Sequence, residues 1–424
     1  MVRKRYFFHA SGFDPYDAAA QYRRYVREAA RFATTWNVAA QVSGLKQNGK
    51  FEGRWTVTTQ APGWEVVTEF ALMDWSDIVR SELNRPTGLR LYGGLAALAD
   101  LVWSGTAWRY FSATWRYGMF FLVPFLNVFL FAAVALVVAF YAGAATVSFL
   151  RSAFAGGAAG AAVAVLVFVT LMRWPGEHWR VRQALADWIF ARDYMLRRHA
   201  EMDARIDDFA ARIVACARRA DAEEIVIAGH SLGATVAVDA LARAYARDPA
   251  LGCHGPKLGL LTIGATIPKL ALHPRGAWLR ERARRLAAEP SLTWAEYQAR
   301  DDFISFYKFD PVRLAPVDDV LRQDGPIIHR VQIHRMFSEI TWRRLRFHYM
   351  RLHYQFVMAN ELRTAYDYFM LMCGPAPFRR TVTAPDGLAG LYGNDGSYDD
   401  GSYADVPFVD APCAAPAFPS VGSR

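Results

Sequence analysis

Charge disappears from this chain twice. Residues 117–150 contain no Asp, Glu, Lys or Arg, and a second uncharged run occupies 152–172. The stretch 118–141 is mostly Phe, Leu, Val and Ala, with Asn127 as its polar member and Pro124 near its start. At ~1.5 Å per residue, a helix over either run is long enough to cross a bilayer core of ~30 Å. The second run opens with Ala155-Gly156-Gly157-Ala158-Ala159-Gly160 and ends in Val, Leu and Phe. Small residues let helix backbones approach closely, so the two spans are expected to pack as a hairpin. A pair of buried core helices is the alternative, and two such runs in succession argue against it.

The flanks orient the hairpin. Arg109 and Arg116 precede the first span, Arg173, Arg180 and Arg182 follow the second, and Arg151 alone lies in the loop. The excess of positive charge places both termini on the cytoplasmic side, in a membrane of the bacterial inner-membrane kind. Trp103, Trp108, Trp115, Trp174 and Trp179 sit near the span ends, as an aromatic belt would. The apolar segment 89–110 reads either as an interfacial helix or as a core helix of the first soluble part.

Elsewhere the pattern alternates between strand and helix periods. Residues 5–9 read as a strand. Residues 17–35 read as a helix, with Tyr22, Tyr25, Val26, Ala29 and Phe32 on one face and Arg23, Arg24 and Arg27 on the other. Strands are expected over 37–42, 55–59 and 64–73. After the spans, 177–220 is charged and helix-rich. Strands are then expected at 224–228, 257–264, 303–309 and 327–333, helices at 232–247 and 277–288, and a helical region over 339–372. This order implies an α/β fold with a mostly parallel sheet flanked by helices. The expected division is 1–111 and 177–383 as two parts of one α/β domain, 112–176 as an inserted transmembrane hairpin, and 384–424 as a Gly-, Ser-, Pro- and Asp-rich tail without structure.

Composition narrows the classes. With 424 residues and 53% hydrophobic positions, the excess apolar content is concentrated in the two runs. The net charge of +9 comes mostly from Arg, and the chain has no zinc-finger spacing, RNP-type segment or basic arm. Membrane flanks therefore explain the charge better than nucleic acid does. Cys216, Cys253, Cys373 and Cys413 lack C-x-x-C spacing, which argues against a metal site or disulfide scaffold. No phosphate-binding loop or metal constellation is present, so no cofactor is expected.

The chemistry lies at Gly229-His230-Ser231-Leu232-Gly233, between the β-branched run 224–228 and a small-residue helix. A serine on a sharp strand-to-helix turn is lifted clear of the sheet, and the N–H of Leu232 at the helix start is placed to donate to an oxyanion. An ordinary turn whose Ser caps the helix is the alternative. Gly229-His230-Ser231-Leu232-Gly233-Ala234 resembles the nucleophile elbow of the α/β-hydrolase superfamily and is especially similar to that of class 3 lipases. The resemblance covers 222–242 well and the rest by element order. It implies that Ser231 is a nucleophile followed along the chain by an acid and then a histidine base.

For the acid, Asp310-Pro311-Val312 ends the expected strand 303–309 and is similar to the D-P-V segment of lipases. Asp301, Asp302, Asp318 and Asp319 are rivals. For the base, His353-Tyr354-Gln355-Phe356 resembles the H-x-x-[YF] end of class 3 lipases, with His329, His334 and His348 as rivals. A second oxyanion donor is expected from Ser11 or Gly12 in His9-Ala10-Ser11-Gly12, which is similar to esterase H-G-x-G loops with Ala10 in place of the first glycine. The resemblance implies hydrolysis of a carboxylic ester, and the hairpin suggests a lipid or other apolar ester as partner. Two other readings stay open. One is a non-catalytic hydrolase-like membrane protein. The other is an accessory protein acting through Arg343, Arg344, Arg346 and Arg351.

Overall fold

The computed structural model describes residues 1–47, 49, 51–317 and 325–399. The chain begins with β1 (Lys4–Ala10) and α1 (Ala18–Trp36), whose first turn is capped by Asp17 accepting the Ala20 N–H at 2.8 Å. Next come β2 (Ala39–Val42), β3 (Lys46–Gln47), β4 (Glu52–Ala61) and β5 (Trp64–Met73). A helical stretch follows: α2 (Ser76–Leu83), α3 (Thr87–Trp103), α4 (Thr106–Ala113), α5 (Trp115–Leu150), α6 (Ala153–Arg173), α7 (Pro175–His178), α8 (Val181–Met195) and α9 (Ala200–Arg219). Strand and helix then alternate through β6 (Glu224–His230), α10 (Gly233–Arg247), β7 (Lys257–Ile263), α11 (Ile267–Ala271), α12 (Ala277–Ala287) and β8 (Leu292–Ala299). The rest holds the short pair β9 (Phe309–Asp310) and β10 (Ala315–Pro316), then β11 (Ile327–Val331), α13 (Glu339–Leu345), α14 (Tyr349–Gln355), α15 (Tyr368–Cys373) and α16 (Phe378–Thr383).

The main sheet runs β11-β8-β7-β6-β1-β5-β4-β2, with β3 beside β4. From β11 through β5 neighbouring strands are parallel; β4, β2 and β3 are added antiparallel. Every residue of β6 is buried, as expected for a strand covered on both faces. The α/β class with a mostly parallel sheet flanked by helices is therefore present.

The chain forms two compact units. One joins Met1–Val79 to the chain from Arg197 onward, and the other is Arg80–Leu196. The insertion is thus wider than the expected hairpin, because α3, α4 and α8 belong with it. Within it, α5 and α6 are each long and apolar enough to cross a membrane. They pack closely through small residues: a Cβ on Gly156 would run into the Val147 side chain and approach Gly143 O to 2.8 Å.

Three expectations change. The strand placed at 303–309 is instead β8 at Leu292–Ala299, and 303–308 is a segment of bends and turns in which Ile304, Ser305 and Phe306 are buried. Glu296 and Gln298 are buried inside β8, so polar positions hide a strand that both faces bury. The helical region over 339–372 is three short helices, and His348 is the N-cap of α14 rather than a residue within it. Residues 384–399 are not a loose tail. Leu388, Leu391 and Tyr392 join the core, and Trp64 Nε1 donates to Gly396 O at 2.9 Å.

Candidate active site

The parallel register aligns the carboxyl ends of four strands. Ala10 pairs with Gly229, His230 with Ile263, and Ile263 with Tyr297. The loops leaving β1, β6, β7 and β8 therefore open on one edge of the sheet, where α/β proteins generally place their chemistry.

Ser231 leaves β6 with φ of 57°, a left-handed conformation that costs a non-glycine residue roughly 1–2 kcal/mol. Its backbone is held on both sides: its N–H donates to Ile263 O at 3.1 Å, and its carbonyl accepts from Thr266 N at 3.2 Å. The flanking glycines meet a packing demand. A Cβ on Gly229 would lie 2.5 Å from Ala234 Cα, and one on Gly233 would collide with the carbonyl oxygens of Ala10 and Ser11. The turn can thus form only where α10 starts hard against the end of β1.

The candidate base and its carboxylate partner come from elsewhere in the chain. His353 Nδ1 donates to Asp302 Oδ2 at 2.8 Å, and both side chains are buried. Asp302 Oδ1 accepts the Ile304 N–H at 2.9 Å, which fixes the carboxylate's other edge. The other ring nitrogen, His353 Nε2, is buried with no hydrogen-bond partner, so no bond joins it to Ser231 Oγ. Several contacts locate this pair beside the serine turn. The ring of His230 lies 4.5 Å from that of His353, and His230 Nε2 donates to the His353 carbonyl at 3.0 Å. Asp302 Oδ2 is 3.2 Å from where a Cβ would sit on Gly264, the residue after Ile263. Burial, then the neighbouring His353, holds His230 well below the usual histidine range, so it stays neutral and serves as a strut.

The β1 loop closes the other side. Gly12 lies against the serine, with a built Cβ 2.9 Å from Ser231 Cβ and 3.4 Å from its Oγ. Ser11 is tied from two directions, its Oγ accepting from Gln21 Nε2 at 3.2 Å and its carbonyl from Trp75 Nε1 at 3.0 Å. Among the described residues, no backbone hydrogen bond takes the N–H of Ser11, Gly12 or Leu232. Tyr354, next to His353, donates to Asp14 Oδ2 at 3.1 Å and so fastens this loop to α14. A small cavity nearby, lined by His9, Gln21, Arg24 and Tyr368 among others, holds about 20 Å³, room for one water and not for an acyl chain. Burial, followed by the Arg24 charge, pushes His9 down to about 3, and the Tyr368 hydroxyl donates to its Nδ1 at 2.9 Å.

The structure thus brings together Ser231, Leu232, Ser11, Gly12 and His353, but the carboxylate meeting His353 is Asp302 rather than Asp310. Asp310 Oδ1 accepts the N–H groups of Val312 at 2.8 Å and Arg313 at 3.0 Å, so it initiates a turn. Asp302 comes three residues after the end of β8, the strand that stands in place of the expected 303–309. Asp301 faces His334 at 3.6 Å instead, and Asp318 and Asp319 lie outside the described residues. His329 stacks on Tyr297 and donates to Val382 O at 2.8 Å, while His348 is exposed. No family model matches this chain, and no curated protein or solved structure matches it.

Proposed function

We propose that this protein is a membrane-anchored serine hydrolase of the α/β-hydrolase kind that cleaves carboxylic esters. The observation that carries the reading is the buried Asp302–His353 pair, with a free Nε2, beside a serine held at positive φ. In this account His353 Nε2 takes the Ser231 proton as Oγ attacks the ester carbonyl, and Asp302 steadies the imidazolium that forms. The N–H groups of Leu232 and of Ser11 or Gly12 hold the oxyanion. His353 then protonates the leaving alcohol, and water releases the acyl group from Ser231.

Two helices long and apolar enough to cross a membrane support anchoring, and the flanking arginines favour a cytoplasmic hydrolase unit. A lipid or lysophospholipid ester presented at the inner leaflet is the substrate class this favours. One feature favours an inactive binding protein instead, the missing Ser231–His353 hydrogen bond, although such bonds are often long before substrate arrives. The test is hydrolysis of p-nitrophenyl esters of graded chain length by the detergent-solubilised full chain. The expected outcome is turnover that Ser231→Ala abolishes. Equal background rates in both folded proteins would favour the inactive reading.

A further inference from the structure

Helix α3 is built inside out. Its inner face is made of small residues: a Cβ on Gly93 would lie 3.0 Å from Ile189 Cδ1, and one on Gly94 2.9 Å from Leu185 Cδ2, both on α8. Its two charged residues are also turned away from the outside. Arg90 is buried and donates through Nη2 to Leu83 O at 2.6 Å, and Asp100 accepts from Arg192 Nε at 3.1 Å. The opposite face is Leu89, Tyr92, Leu95, Ala99, Val102 and Trp103, all exposed, with Tyr92 75% and Trp103 93% accessible. A helix facing water places its large apolar side chains inward, and this one places them outward.

We propose that the outer face of α3 lies in lipid, along the surface of the membrane that α5 and α6 cross. The proposal rests on the anchoring part of the reading above. At 17 residues α3 is roughly 25 Å long and carries Arg90 and Asp100, so it suits a helix lying along the bilayer better than one crossing a core of ~30 Å. Lipid, rather than a protein partner, is favoured by continuity. The exposed Trp103, Trp108 and Trp115 carry the apolar surface through α4 to the first turn of α5, within the same unit. Trp and Tyr are the side chains that settle at headgroup level, and the face has no charged residue with which to specify a protein.

The test is photo-cross-linking of the full chain reconstituted in phosphatidylcholine–phosphatidylglycerol vesicles. Benzoylphenylalanine replaces Tyr92 or Val102 on the outer face, Phe140 on α5, or Tyr16 in the sheet-bearing unit. Lipid adducts are expected at Tyr92, Val102 and Phe140 and not at Tyr16. Adducts at Phe140 alone would overturn the proposal, whether the outer-face sites stay unreacted or couple to a second copy or another protein. No adduct at Phe140 would overturn the anchoring reading and this proposal with it.

Discussion

At the scale of single residues, the account turns on which carboxylate faces His353. Asp302 is buried and shared between the imidazole and the Ile304 N–H, whereas Asp310 caps a turn and pairs with Arg313 at 3.8 Å. Asp302→Asn removes the charge that steadies the imidazolium and is expected to slow modification of Ser231 about a thousand- to ten-thousand-fold. Asp310→Asn keeps an oxygen for the Val312 and Arg313 amides and is expected to leave that rate within about twofold. Rates of fluorophosphonate reaction for the two variants check this, and the reverse order would return the acid's role to Asp310.

A second carboxyl behaves differently. Glu296 sits inside β8 between Gln298 Nε2 at 2.7 Å and Thr262 Oγ1 at 3.0 Å, and burial pushes it up to about 8. Because its folded value lies above its unfolded one, it favours folding most below the unfolded value, and that contribution is lost as pH rises toward 8. Glu296→Gln is therefore expected to gain stability relative to the parent between about pH 4.5 and 8, then level off, as measured by urea unfolding at a series of pH values.

At the scale of elements, the stretch 372–378 is tied to the sheet through a buried ion pair. Arg5 on β1 pairs with Glu224 on β6 and donates to Met372 O at 2.7 Å, Gly374 O at 2.9 Å and Ala376 O at 2.9 Å. Glu224 also accepts the Phe378 N–H at 2.9 Å. Arg5→Met leaves a buried carboxylate without its cation and is expected to cost about 3–5 kcal/mol in denaturant unfolding. The elements legible in the sequence include those with a plain period or a steric signature, such as β1, α1, β5, β6, α10, β7, α12, β11 and the two apolar helices. Strand β8 is hidden because its buried face carries Glu296 and Gln298, and a strand placed at 303–309 instead points to Asp310 rather than to Asp302, the carboxylate that meets His353. The packing of 384–399 was equally hidden. Its hold on the core comes from Leu388, Leu391 and Tyr392 and from single contacts such as Trp64 to Gly396, which leave no periodic trace. That the β1 loop lies beside Ser231 agrees with its resemblance to esterase H-G-x-G loops, while the ties through Gln21, Trp75 and Tyr354 depend on tertiary contacts that spacing does not record.

At the scale of the whole molecule, the chain order constrains assembly. Strand β1 lies between β5 and β6, and Arg5 meets Glu224 across 219 positions of sequence. The apolar helices are thus synthesised before the strand that carries Ser231, so the candidate site can close only after the inserted unit has been made. A hydrolase tethered in this way would meet its substrate at the membrane surface, which agrees with the proposed ester class. The central claim is that Ser231 is an activated nucleophile, and covalent capture tests it most directly. The full chain in detergent is treated with a fluorophosphonate, and the modified peptide is located by mass spectrometry beside Ser231→Ala and His353→Ala. The account predicts one adduct, on Ser231, absent from Ser231→Ala and strongly reduced in His353→Ala. A folded parent protein that stays unmodified, or carries its adduct on another serine, would contradict it.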